Sequence, residues 1–146
     1  MLFRSELYVG VVGNERLRVL PVWEMDFGKL TESGEPIATA RVKHSPGYQK
    51  KHGIDIRRAE GLDPALERLI QRTTRRVYRM LEMDGYARVD YRLTAKGELY
   101  LLEANPNPEI AEKEEFASAA AAAGLKYRAL LARLLGLALT RPGRLD

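Results

Sequence analysis

Ala87-Arg88-Val89-Asp90-Tyr91-Arg92-Leu93-Thr94-Ala95-Lys96-Gly97-Glu98-Leu99-Tyr100-Leu101-Leu102-Glu103-Ala104-Asn105-Pro106 is the stretch that decides the fold. It reads as two short strands around a tight turn. Val89, Tyr91 and Leu93 alternate with Arg88, Asp90 and Arg92, the period of a strand with two different faces. Lys96-Gly97 supplies turn chemistry, because glycine tolerates the positive φ that primed hairpin turns need. A two-residue loop there sets Ala95 opposite Glu98. It then brings Asp90 opposite Glu103, Arg88 opposite Asn105, Tyr91 opposite Leu102, Leu93 opposite Tyr100 and Val89 opposite Ala104. A three-residue loop would move the register by one and turn one strand's pattern against the other. The apolar agreement favours the register that joins the carboxylates.

Two carboxylates with Cβ atoms about 5 Å apart repel by roughly 3 kcal/mol at an effective dielectric near 20. Something must offset that. Arg88 and Arg92 share the face and are candidate partners. A hard divalent cation is another, since Mg²⁺ takes one or two carboxylates and fills its shell with water and phosphate oxygens. Asn105 adds a neutral oxygen two residues after Glu103, on the same strand face. Spacing alone leaves both open: a metal site, or an arginine–carboxylate network.

The rest of the chain supplies helices and more strand. Residues 6–12 and 17–25 read as a hairpin around Gly13-Asn14-Glu15-Arg16, and 26–36 as loop. Ile37 to Lys43 reads as a short strand, 44–48 as a turn, and 49–61 as polar and irregular. Asp63-Pro64 starts a helix, with Asp as the cap and Pro in the first turn. Leu66, Leu69, Ile70, Val77, Met80 and Leu81 carry it to about Met83. Pro106-Asn107-Pro108 forces extended chain. A helix through the alanine run 119–123 stops at Gly124, and another runs from about Lys126 to Leu139. The expected architecture is α+β, an antiparallel sheet with flanking helices. One domain, 1–140, is expected to be followed by a tail, 141–146.

At 146 residues the chain holds one domain's worth of core. It has no cysteine, which excludes a disulfide framework, a thiolate nucleophile and a thiolate zinc site. That suits a cytoplasmic protein. No apolar run reaches signal-peptide or membrane-spanning length, so no membrane partner is expected. The net charge of +4 is compatible with an anionic small ligand and does not demand nucleic acid. Arg68, Arg72, Arg75, Arg76 and Arg79 read as the solvated face of a helix, because no stacking aromatics interleave with them.

The strings Y-A-R-V-D-Y-R-L (86–93) and G-E-L-Y-L-L-E-A-N-P-N-P-E-I (97–110), followed by the Ala-Gly-Leu helix junction, resemble the C-terminal part of an ATP-grasp ligase of the D-alanine–D-alanine ligase type. The likeness runs over roughly residues 3 to 140 and is most specific over 86–108. It implies ATP and Mg²⁺ (or Mn²⁺) as cofactors. Asp90, Glu103 and Asn105 would hold the metal against the nucleotide phosphates, and Arg88 would sit over the reacting acyl phosphate. Glu6, in Glu6-Leu7-Tyr8-Val9-Gly10-Val11-Val12-Gly13, matches the residue that contacts the ribose. Leu102 matches the one packed under adenine, and Lys43 a lysine beside the phosphates.

The implied reaction joins a small-molecule carboxylate to an amine or amino acid. The family's upstream half, with its phosphate-covering loop and nucleotide-binding lysines, has no counterpart here. The chain is therefore expected to be part of a ligase, inactive alone, that needs the missing N-terminal half or self-associates. The alternative is a non-catalytic, truncated or vestigial module, or a subunit that completes its site with another chain. Where the family carries a serine-containing stretch for the second substrate's carboxylate, this chain has Glu109-Ile110-Ala111-Glu112-Lys113-Glu114-Glu115. That puts dipeptide-forming specificity in doubt and suits an amine without a nearby carboxylate, or a cationic one.

Overall fold

The computed structural model describes residues 3–27 and 50–140. Among these residues six strands form one sheet: β1 (Phe3–Val12), β2 (Arg18–Val19), β3 (Trp23–Asp26), β4 (Asp55–Arg58), β5 (Tyr86–Thr94) and β6 (Leu99–Asn105). Their order is β4-β3-β1-β5-β6, with β2 also on β1, and every described pairing is antiparallel. Among the described residues three complete helices flank the sheet: α1 (Pro64–Met80), α2 (Glu115–Ala122) and α3 (Tyr127–Leu139). No helix among the described residues is long and apolar enough to cross a membrane.

Strand alternation divides the core. Leu7 and Val9 of β1 meet Val89, Tyr91 and Leu93 of β5 under Ile70 of α1. Val12 of β1 packs instead with Phe116 and Ala120 of α2 and with Leu130 and Leu137 of α3. α1 therefore covers one face, and α2 with α3 covers one end of the other. α1 starts where Asp63 accepts the backbone N–H groups of Ala65 and Leu66 at 2.8 and 3.2 Å, with Pro64 leading the first turn. Two hydroxyls lock it on: Tyr78 donates to the Gly13 carbonyl at 2.7 Å, and Thr74 lies 2.8 Å from the Tyr91 hydroxyl. Gly10 sits where α2 crosses: a Cβ there would come within 2.7 Å of Leu20 and 2.9 Å of Phe116. Asn14 ties three segments together, accepting from Gly85 N–H at 2.8 Å and donating to the Leu137 carbonyl at 3.1 Å.

Two expectations need correction. Residues 49–61 are not all irregular: β4 pairs with β3, Ile56 opposite Met25 and Arg57 opposite Glu24. Its polar side chains are drawn in by charge, since Arg57 lies 3.1 Å from Asp26 and 3.7 Å from Glu24. The second concerns the β5–β6 turn, which is one residue longer than expected. Thr94 N–H bonds the Glu98 carbonyl, so Ala95, Lys96 and Gly97 form a three-residue loop with Gly97 at φ +82°. Leu93 then faces Leu99, and Tyr91 faces Leu101, not Leu102. An irregularity between Asp90 and Tyr91 absorbs the slip at Leu102. Asp90 still faces Glu103, Val89 faces Ala104, and Arg88 faces Asn105. The expected strand 37–43, the turn at 44–48 and the tail 141–146 lie outside the described residues.

Candidate functional site

The register of β1, β5 and β6 collects one set of polar side chains on the sheet face opposite α1. In β1–β5 pairing, Tyr8 faces Asp90 and Glu6 faces Arg92. In β5–β6 pairing, Asp90 faces Glu103 and Arg88 faces Asn105. Alternation puts Glu6 and Tyr8, and Arg88, Asp90 and Arg92, on one side.

Arg88 is the hub. Its Nε and Nη2 donate to the two Asp90 oxygens at 2.7 and 2.8 Å, a bidentate fork between residues two apart on one strand. Its Nη1 lies 3.7 Å from Glu115 Oε1, at the first turn of α2. Its guanidinium carbon sits 4.8 Å from the Tyr8 ring centroid, a cation–π contact. Burial works against the Arg88 charge, but the hydrogen bonds and charge of Asp90, with Glu115 beyond, outweigh it and hold the guanidinium above its ordinary pKa. Burial first, then the charges of Glu6, Asp90 and Glu115, push the Tyr8 phenol far above its ordinary value, and Arg88 opposes them. Tyr8 donates to Glu6 Oε1 at 3.3 Å, and Arg92 Nη2 lies 3.8 Å from Glu6 Oε2.

All but one of the expected site residues have a described place. Asp90 is only 2% exposed, both its oxygens engaged by Arg88. The like-charge problem posed by Glu103 is thus met in this structure by an arginine. Glu103 is exposed on β6, which is the sheet's edge among the described strands. Asn105 turns its Oδ1 to the Asn107 N–H at 2.9 Å, shaping the loop that leaves the strand. Glu6, expected as a strand residue open to a nucleotide, is 4% exposed and sits against Tyr8 and Arg92. Leu102 is 50% exposed at the irregularity in β6, beside Leu101 at 51%. Lys43 lies outside the described residues.

Among the described residues no three carboxylates or imidazoles converge on a metal position. The donor set is nevertheless all oxygen: two carboxylates in register and one amide. That fits a hard cation that keeps water or phosphate in the rest of its shell. Tyr8 and Glu115 were not legible as site residues. Tyr8 joins through the non-local β1–β5 register, and Glu115 through the docking of α2. Glu115 also stood in an acidic run that drew attention to its charge and not to its position.

Residues 2–136 match the family model described as D-ala D-ala ligase C-terminus. A D-alanine–D-alanine ligase of Nitratidesulfovibrio vulgaris is 43% identical over 75 residues, 51% of this chain and 25% of that protein. The structure of the D-alanine–D-alanine ligase from Coxiella burnetii superposes with a TM-score of 0.72 at 19% identity, over 95% of this chain and 33% of that one. The Bacillus anthracis ligase, solved in complex with ATP, gives a TM-score of 0.67 at 20% identity over 92% of this chain and 38% of that one. The chain spans about a quarter to two-fifths of the length of the curated relatives it matches.

Proposed function

Since this chain belongs to the D-alanine–D-alanine ligase C-terminal family, we propose that it forms one wall of an ATP-dependent carboxylate–amine ligase site. In this reading a carboxylate is activated as an acyl phosphate, and an amine or amino acid displaces the phosphate. One observation carries it. The R-V-D and L-E-x-N motifs meet on one face of adjacent strands, Asp90 opposite Glu103 and Arg88 opposite Asn105.

Asp90, Glu103 and Asn105 are the proposed ligands for Mg²⁺ or Mn²⁺, and the bound cation would neutralise phosphate oxygens during transfer. Arg88 would hold the negative charge that develops on the reacting acyl group. The exposed Leu102 offers an apolar floor for adenine, Glu6 the ribose contact, and Lys43 a phosphate contact. Residues 1–140 would be a partial ATP-grasp domain that works in the cytoplasm. Its remaining phosphate-binding groups would come from elsewhere in a longer protein or from a partner, so the isolated chain is proposed not to turn over.

A second reading, a non-catalytic vestigial module, draws on a different observation: the Arg88 fork occupies both Asp90 oxygens. Calorimetric titration of Mg²⁺–ATP into this chain and into Asp90→Asn separates the two. The site reading expects weak binding that the substitution abolishes while circular dichroism stays unchanged. Equal binding by both proteins would remove Asp90 from the site. No binding by either would favour the second reading.

A further inference from the structure

Arg88 and a cation compete for the same two atoms. Nε and Nη2 of Arg88 engage both Asp90 oxygens, and an inner-sphere metal needs at least one of them. Releasing Arg88 into so enclosed a position would leave a poorly solvated guanidinium without a counter-charge, which is strongly unfavourable. The structure holds a second counter-charge ready. Glu115 Oε1 lies 3.7 Å from Nη1, and its side chain is 14% exposed against 13% for Arg88. The Tyr8 ring, 4.8 Å from the guanidinium carbon, offers a cation–π contact that does not depend on which carboxylate the guanidinium faces. Glu115 is held in place by its neighbour, because Phe116 is buried against Tyr86 with ring centroids 5.7 Å apart. Glu6 is otherwise engaged, by Tyr8 and Arg92.

We infer that Glu115 is a positioning residue that takes Arg88 over from Asp90 when a divalent cation binds, so that cation entry and Arg88 release are one exchange. The inference rests on the cation reading of Asp90 and Glu103 and adds a regulating partner to it. The Asp90 oxygens become ligands as the Arg88 Nε and Nη2 hydrogen bonds break, and Nη1, joined by Nη2, closes on Glu115.

The test uses this chain, Mn²⁺ as a paramagnetic probe and Mg²⁺ as its diamagnetic counterpart. In the unsubstituted chain, Mn²⁺ is expected to broaden the amide resonances of Asp90 and Glu103, and Mg²⁺ to shift the Arg88 Nε–H resonance. Glu115→Gln is expected to bind Mn²⁺ roughly threefold to tenfold more weakly, the scale of losing one partly screened charge contact. Glu115→Asp keeps the charge and is expected to stay within about twofold of the unsubstituted chain. No broadening at Asp90 and Glu103 in the unsubstituted chain would sink the cation reading itself. Broadening that Glu115→Gln leaves unweakened would overturn the exchange alone. So would an equal loss in Glu115→Asp, which would trace the effect to the geometry of the α2 start.

Discussion

Ser5 is buried on β1 with a hydroxyl that finds no hydrogen-bond partner among the described residues. A buried unsatisfied hydroxyl costs about 1–3 kcal/mol. Ser5→Ala keeps the volume small and removes the group, so its urea midpoint is expected to rise by the equivalent of about 1 kcal/mol. Tyr91 supplies a pH signature. Burial raises its phenol above the ordinary value, and the Thr74 hydrogen bond opposes the shift. The folded state therefore keeps its proton after the unfolded chain has begun to lose it, near pH 10. Stability should be flat below that pH and fall as pH rises through it. Denaturation curves from pH 8 to 11 check this, with a shallower fall expected for Tyr91→Phe even though its loss of the Thr74 bond lowers the plateau. What could be read residue by residue was the local part of the site. Arg88 and Asp90 stand two apart, so they share a strand face whatever else happens. The Tyr8 cation–π contact and the Glu6 burial depend on which strand lies beside β5, and no local pattern states that.

β5 and β6 show how an element can reach the expected arrangement by a different route. Asp90 lies four residues before Thr94, while Glu103 lies five after Glu98, and the extra residue is taken up at Leu102. Hydrophobic alternation is blind to this compensation, because a longer turn and an irregularity of the opposite sense cancel at the far end. β4 carries no strand signature for another reason. Only Ile56 among its four residues is apolar, and its pairing is stabilised by Arg57 facing Glu24 and Asp26 across the ladder. The start of α1 and the end of α2 are legible because the Asp63 cap and the Gly124 stop act locally. Gly10 marks a closer contact than a pattern can show. Gly10→Ala would press a methyl group into Leu20 and Phe116. The expected loss is about 1–3 kcal/mol. A lower thermal midpoint, together with a shifted Phe116 ring resonance, would report displacement of α2; an unchanged midpoint would mean that α2 yields freely.

The apolar surface of the whole molecule is uneven. Leu7, Val9, Val11 and Val12 of β1 are buried, because helices lie on both sides of this strand. Exposed large apolar side chains include Tyr100, Leu101 and Leu102 on β6, an edge among the described strands, Leu131, Leu135 and Leu139 along α3, and Leu69, Met80 and Leu81 at α1. An edge strand with apolar side chains invites pairing with another chain. Sedimentation velocity is expected to show concentration-dependent association that Leu101→Lys reduces; a monomer at millimolar concentration would count against it. The placing of β1 also has a temporal consequence. Of the described strands it is made before the others and sits at the centre of their order, but its longest partner is β5, far along the chain. Closing so long a loop is entropically slow, whereas β5 and β6 can meet through a three-residue turn. Pulsed hydrogen exchange during refolding should therefore protect β5 and β6 amides before those of β1. During synthesis, the strand that later anchors everything waits longest for the partner that shields it, and that interval is when a chaperone would matter most.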